Sequence, residues 1–330
     1  MREYTGSQFF ISIFTAVLVG VGLAYGGIFA VQIVSSARMG SVEEKREDAQ
    51  TEEVHEEEGV IDPTFISRFS RGFAYIAEAS REDFDETTIS AVASPSVSAL
   101  AYTVTSIDKG NTLVEHDAER LLPIASITKL IAAVIAKKVF DENHTIEITG
   151  QMLATEGDTG KLRLGEKIKV KDLLYPLLMV SSNDAAEALA QTYDAKHGRG
   201  KFVKEMNDWA GSIGAYRTYF RDPSGLSSNN MSTARDISII AKWIKENEPE
   251  IFDITLTKAR TMRTRTWINP THFLNLSSYD GGKNGFTTEA GLTSVSLFSF
   301  GIPKRYYSVV LLGSKQRDAD TLAVLNMALK

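Results

Sequence analysis

The sequence predicts an α+β fold, one antiparallel sheet built from both ends of a folded region with helices between. Three observations predict it. Strand-like runs open the region, "SALAYTVTS" from Ser98 and "TLVEH" from Thr112, joined by the turn-forming "IDKGN". Two more close it, "GLTSVSLFSFG" from Gly291 and "YYSVVLLGS" from Tyr306. Between these pairs the apolar residues recur at helical spacing. Strands at both ends with helices between them imply helices covering the sheet's faces and an inserted helical lobe.

The elements follow in order. No charged side chain occurs from Tyr4 to Ala37, and the apolar run Phe9 to Val34 is 26 residues long. As a helix it would extend about 39 Å, enough to cross a hydrocarbon core of roughly 30 Å with tilt. Ser35-Ser36-Ala37 offers small residues for signal cleavage. The run is longer than the about 7–15 residues of a signal peptide's apolar core, so residues 1–41 read as an uncleaved anchor. Flanking bases do not orient it: Arg2 lies on one side, Arg38, Lys45 and Arg46 on the other. Residues 43 to 62 carry ten acids and two bases, a net of −8 in a chain of net −6. Self-repelling charge makes 42–62 a solvated linker. The mixed stretch 63–95 has no assigned task, and the folded region is 96–330. Within it, helical patterns cover Ser126 to Phe140, Val170 to Val180, Asp184 to Tyr193, Phe202 to Ile213 and Thr233 to Asn247. "DADTLAVLNMALK" forms a closing helix.

Composition removes several functions. With no cysteine, disulfides, thiolate zinc sites and cysteine nucleophiles are excluded. Outside the acidic linker the charges nearly balance, with no clustered basic face for nucleic acid. No Gly-x-Ser-x-Gly marks a Ser-His-Asp hydrolase.

Three short patterns could carry chemistry. In "IASITKL", Ser126 and Lys129 stand three apart at the head of an apolar helix, where positions i and i+3 share a face. A lysine activates a serine when burial or a neighbouring cation lowers its pKa from about 10.4. The same spacing at Ser106 and Lys109 falls in the hairpin turn with no helix behind it. Ser181-Ser182-Asn183 separates two apolar helical runs, and Ser182 or Asn183 also suits a helix N-cap. Ser227-Ser228-Asn229 repeats that form in the loop "DPSGLSSNNMST". Lys283-Asn284-Gly285 precedes a strand-like run, and glycine there would let a ligand lie along the strand. Lys196-His197-Gly198 repeats it at a helix C-terminus. The order carries more than any one pattern: Ser-x-x-Lys, then Ser-x-Asn 55 residues on, then Lys-x-Gly 102 further.

In that order, with "LLPIASITKL", "DLLYPLLMVSSNDAAEALA", "DPSGLSSNNMSTARDISIIAKW" and "GGKNGFTTEAG", the chain from about Ser98 onwards resembles the D-alanyl-D-alanine carboxypeptidases among the low-molecular-mass penicillin-binding proteins. The resemblance implies a penicillin-binding/β-lactamase-like fold. It implies Ser126 as acylated nucleophile, Lys129 as general base, and Ser181 as proton relay to the leaving amine. Asn183 would bond the substrate backbone, and Lys283 would keep Lys129 neutral and hold the terminal carboxylate with Asn284 and, on a looser match, Arg317. The N–H groups of Ser126 and Phe286, past Gly285, would form the oxyanion hole. Asn284 departs from the hydroxyl residue the family usually has there. The implied substrate is a peptidoglycan stem peptide ending in D-Ala-D-Ala, with β-lactams as covalent inhibitors and no metal or organic cofactor. The implied location is outside the cytoplasmic face of a bacterial membrane. A class A β-lactamase would need a Glu-x-x-Leu-Asn loop that this chain lacks, and the third alternative is a non-catalytic cell-wall-binding relative.

Overall fold

The structure is a computed structural model that describes residues 96–157 and 159–330. The apolar run at 9–34, the acidic linker and the stretch 63–95 lie outside the described residues. Strands β1 (Ala101–Ser106), β2 (Thr112–His116), β9 (Tyr279–Thr287), β10 (Gly291–Phe300) and β11 (Arg305–Ser314) form a five-stranded antiparallel sheet in the order β2-β1-β11-β10-β9. The short strands β3 (Leu122–Pro123) and β6 (Met231–Ser232) pair apart from it, as do β4 (Thr145–Glu147) and β5 (Lys167–Lys169). The chain's first strand therefore pairs with its last, Val104 opposite Val309. Two-residue periodicity explains the packing. In β11, Val310 and Leu312 enter a core shared with the helices, whereas Val309 and Leu311 join Phe298, Val324 and Leu325 on the other face. With both faces covered, the strand reads as one apolar run, "VVLL", without alternation.

The second face is sealed by α7 (Arg317–Leu329). The first meets a helical lobe of α1 (Thr128–Val139), α2 (Val170–Met179), α3 (Asn183–His197), α4 (Lys201–Ser212) and α5 (Ala234–Asn247), followed by the short α6 (Glu250–Thr255). Helix α1 is central, and from Thr128 to Ala136 it is buried on every side. Each large aliphatic there, such as Ile131 or Ile135, contributes roughly 1.5–3 kcal/mol. Lys129 is the one charged residue in that buried run, and the lobe is built around it. Helix α3 opens on Ser182, which accepts from the Ala185 N–H, and α5 on Thr233, which accepts from the Asp236 N–H.

Two expectations change. The helix expected from Ser126 begins at Thr128, and Ser126 lies in a 3₁₀ turn, Ala125–Ile127, before it. Lys283-Asn284-Gly285 lies inside β9, not ahead of a strand. The glycines around it are tight-packing residues: a Cβ at Gly282 would lie 2.3 Å from the Val295 carbonyl oxygen. Helix α6 and the hairpin of β7 (Ala259–Met262) and β8 (Arg265–Ile268) were not expected. The polar, arginine-rich hairpin shows neither the alternation nor the apolar run that marks a strand.

One buried carboxylate closes the region. Asp320 of α7 accepts from the Ser98 N–H (3.1 Å), the Ser98 hydroxyl (2.6 Å) and the Ser314 hydroxyl (2.7 Å). It ties the approach to β1 to the end of β11. Asp320→Ala leaves these donors unpartnered and is expected to cost roughly 2–4 kcal/mol, read as a lower urea midpoint at unchanged slope.

Candidate active site

Ser126 is placed by backbone strain and by two glycines. Ala125, just before it, has φ 47°, a left-handed conformation rare for alanine. Gly225, at φ +87°, comes so close that a Cβ would lie 2.0 Å from the Ala125 carbonyl oxygen and 2.9 Å from Ser126 N. From the other side, a Cβ at Gly285 would lie 2.8 Å from Ser126 N and 2.6 Å from Thr293 Oγ1. The Thr293 hydroxyl donates to the Ile124 carbonyl (3.0 Å), fixing this turn to the sheet. The edge strand β9 thus runs directly beside the Ser126 N–H, and Phe286 is the next residue along it, its side chain exposed.

The Lys129 amine is fully buried. Its Nζ lies 3.0 Å from Ser126 Oγ, 2.7 Å from Asn183 Oδ1 and 2.5 Å from the Ser224 carbonyl oxygen. The two carbonyls can only accept. A neutral amine with two hydrogens directed at them presents its lone pair to the third neighbour, the Ser126 hydroxyl. That is the geometry of a general base. Burial, and after it the charge of Lys283, pulls Lys129 well below the ordinary lysine range, while Asp222 pulls it back up.

Ser181 has φ 60°, and its hydroxyl accepts from Lys283 Nζ at 3.0 Å. Lys283 also donates to the Asn284 carbonyl (2.9 Å). Burial first and the Arg317 charge second bring Lys283 down to about 7. The Asn183 amide is oriented from both ends: its oxygen accepts from Lys129, and its nitrogen donates to the Glu156 carbonyl at 2.6 Å. Ser182, between them, is the helix cap, so the capping role expected for Ser182 or Asn183 and the chemical role expected for Ser181 and Asn183 fall to adjacent residues. Arg317 opens α7 and donates from Nε to Asp318 at 3.2 Å.

The motif residues converge: Lys129 meets Ser126 and Asn183, Lys283 meets Ser181, and Gly285 lies against Ser126. The repeat at Ser106 and Lys109 stays in the hairpin turn, and Lys196–Gly198 ends α3. The loop 222–230, read as an echo of the second pattern, supplies a site residue. Asp222 accepts from the N–H groups of Ser224, Gly225 and Ser227, and buried Asn230 bonds Thr128 and the Asp222 carbonyl. Together they present the Ser224 carbonyl to Lys129. The Asp-Pro-Ser-Gly turn was the available signal, but a main-chain acceptor has no letter of its own.

Similarity to known proteins agrees with this geometry. The family model of D-alanyl-D-alanine carboxypeptidase, peptidase family S11, matches residues 88–314. The chain belongs to that family. The D-alanyl-D-alanine endopeptidase of Pseudomonas aeruginosa is 34% identical over 199 residues, 57% of this chain and 63% of that protein. The D-alanyl-D-alanine endopeptidase of Escherichia coli K12 is 30% identical over 241 residues, 68% of this chain and 76% of that protein. In structure, penicillin-binding protein D2 of Listeria monocytogenes, in its cefotaxime-bound form, superposes with a TM-score of 0.63. That match has 26% identity and covers 72% of this chain and all of the other. The fold is that of the penicillin-binding proteins.

Two outcomes follow from the site. Since the Lys283 charge depresses Lys129, Lys283→Gln should raise the Lys129 pKa. The acid limb of the acylation profile should then move to higher pH; no movement, or movement downwards, would break the coupling. Gly225→Ala forces a Cβ into the turn that carries Ser126, and a displacement of that kind is expected to slow acylation by about 10²-fold. The check is the rate of labelling by a fluorescent penicillin, with a melting curve alongside.

Proposed function

We propose that this protein is a serine-type D-alanyl-D-alanine carboxypeptidase that trims peptidoglycan stem peptides through an acyl-enzyme on Ser126. The observation that carries this reading is the buried Lys129 amine, 3.0 Å from Ser126 Oγ and 2.7 and 2.5 Å from two oxygens that can only accept. Ser126 Oγ attacks the carbonyl of the penultimate D-alanine, and its proton passes to Lys129. The Ser126 and Phe286 N–H groups receive the oxyanion. Ser181, held by Lys283, relays a proton to the leaving amine, and D-alanine departs. Water then cleaves the ester and restores the serine. Lys283, Asn284 and Arg317 hold the terminal carboxylate, the first two on β9 and the third at the head of α7. A β-lactam acylates the same serine, as expected for a relative of a penicillin-binding protein seen with cefotaxime bound.

Residues 9–34 are proposed to tether the enzyme to a bacterial membrane, with the folded region outside the cytoplasm and the acidic linker setting its reach. Among the described residues no helix is long and apolar enough to cross a membrane.

A second reading, endopeptidase action on a cross-link, is favoured by the names of the two relatives. It is also favoured by Asn284, whose bulkier amide replaces the hydroxyl that usually meets the terminal carboxylate. Both readings share the acyl-enzyme. Mass spectrometry after benzylpenicillin treatment is expected to place the adduct on the peptide containing Ser126, and an adduct elsewhere would overturn the site. Free D-alanine released from a pentapeptide, and lost in Ser126→Ala, supports the carboxypeptidase. Cleavage of dimeric muropeptides without D-alanine release would instead establish the endopeptidase.

A further inference from the structure

Behind Lys283 lies a second set of polar contacts that acylation does not use. Arg317 Nε donates to Asp318 Oδ1 at 3.2 Å, and the other Asp318 oxygen lies 2.6 Å from His272 Nδ1. His272 opens a 3₁₀ turn, His272–Asn275, shortly ahead of β9. Arg317 and Asp318 are largely covered, their side chains 21% and 33% exposed, while His272 is open to solvent. The Asp318–His272 contact thus ties the head of α7 to the turn that leads into β9, and the Arg317 charge contributes to the lowering of the Lys283 pKa.

Arginine has five donors on a long, rotatable stem, and the terminal pair suits a carboxylate when the stem is fixed. Asp318 occupies Nε alone. Nη1 and Nη2 make no hydrogen bond to the described residues. Arg317 repels the Lys283 charge, and Asp318 offsets the Arg317 charge only in part. A second anion arriving in front would relieve the remaining repulsion.

We propose that Asp318, itself anchored by His272, is the positioning residue that aims Arg317 at the carboxylate-binding end of the cleft. It rests on the reading of Arg317 as a carboxylate partner. Asp318 touches no reacting atom and acts through Arg317. The plainer alternative is an ion pair that stabilises the first turn of α7, which would affect folding without distinguishing one substrate from another.

The test compares a peptide ending in D-Ala-D-Ala with the same peptide carrying a C-terminal amide. Asp318→Ala is expected to raise KM for the acid about tenfold with kcat within about twofold, and to cause no comparable loss on the amide. Asp318→Asn keeps an oxygen for Arg317 Nε and should recover most of that loss, and His272→Ala should show a smaller rise of the same kind. If Arg317→Ala raises KM for the acid but Asp318→Ala does not, the positioning role is wrong and the carboxylate reading survives. If Arg317→Ala leaves KM unchanged, the carboxylate reading falls and the proposal with it. Equal losses on acid and amide, together with a lowered melting temperature, would make Asp318 structural only. Benzylpenicillin labelling of Ser126 in each variant separates these outcomes from failure of the acyl-enzyme chemistry.

Discussion

A primary amine buried away from water governs this structure. Lys129 sits in the central helix with no exposed surface. An ammonium there would need every hydrogen accepted and a counter-charge close by. Three oxygens surround the nitrogen and Asp222 offers a counter-charge, but burial and the second cation, Lys283, outweigh them. That combination favours the neutral amine, and the neutral amine is what a serine needs. Desolvation, normally a cost, here creates the base.

The same arrangement explains two of the strained backbone positions. Ala125 and Ser181 both hold positive φ, and Gly225 and Gly285 bring two separate chain segments against the Ser126 N–H. Such conformations persist only when the surroundings over-determine them. The apolar helix α1 behind, the sheet beside and the hydrogen-bonded 222–230 loop above do so. Rigidity here serves proximity: the nucleophile, its base and the edge strand meet without any of them resting on a free loop end.

How much of this the sequence disclosed depended on what kind of group makes each contact. Ser126 and Lys129 were legible because their contact follows from spacing along one chain turn. Ser181, Asn183 and Lys283 were legible only through their order, since nothing local separates them from their repeats at 227–229 and 196–198. The two-ended sheet could be read from the β-rich runs. The Ser224 carbonyl was hidden because any residue type supplies one. Gly282 and Gly285 serve close packing inside β9, against backbone from distant segments that the sequence does not place beside them. Asp318 and His272, 46 positions apart, had no sequence signal joining them. The β7–β8 hairpin was missed because its arginines and threonines break up any apolar run, although Trp267 within it is buried.

The pairing of the first strand with the last has a further consequence for when activity can arise. Lys283 is on β9, which is held by β10, which in turn is held by β11 against β1. Contacts of such long sequence separation close late, after loop entropy has been overcome. Until the C-terminal strands arrive, Lys129 lacks the neighbouring cation, and Ser126 lacks the strand that Gly285 brings alongside. A partly synthesised or partly folded chain is therefore chemically silent. The nucleophile ripens only as the sheet is completed, so reaction with a penicillin reports a finished molecule.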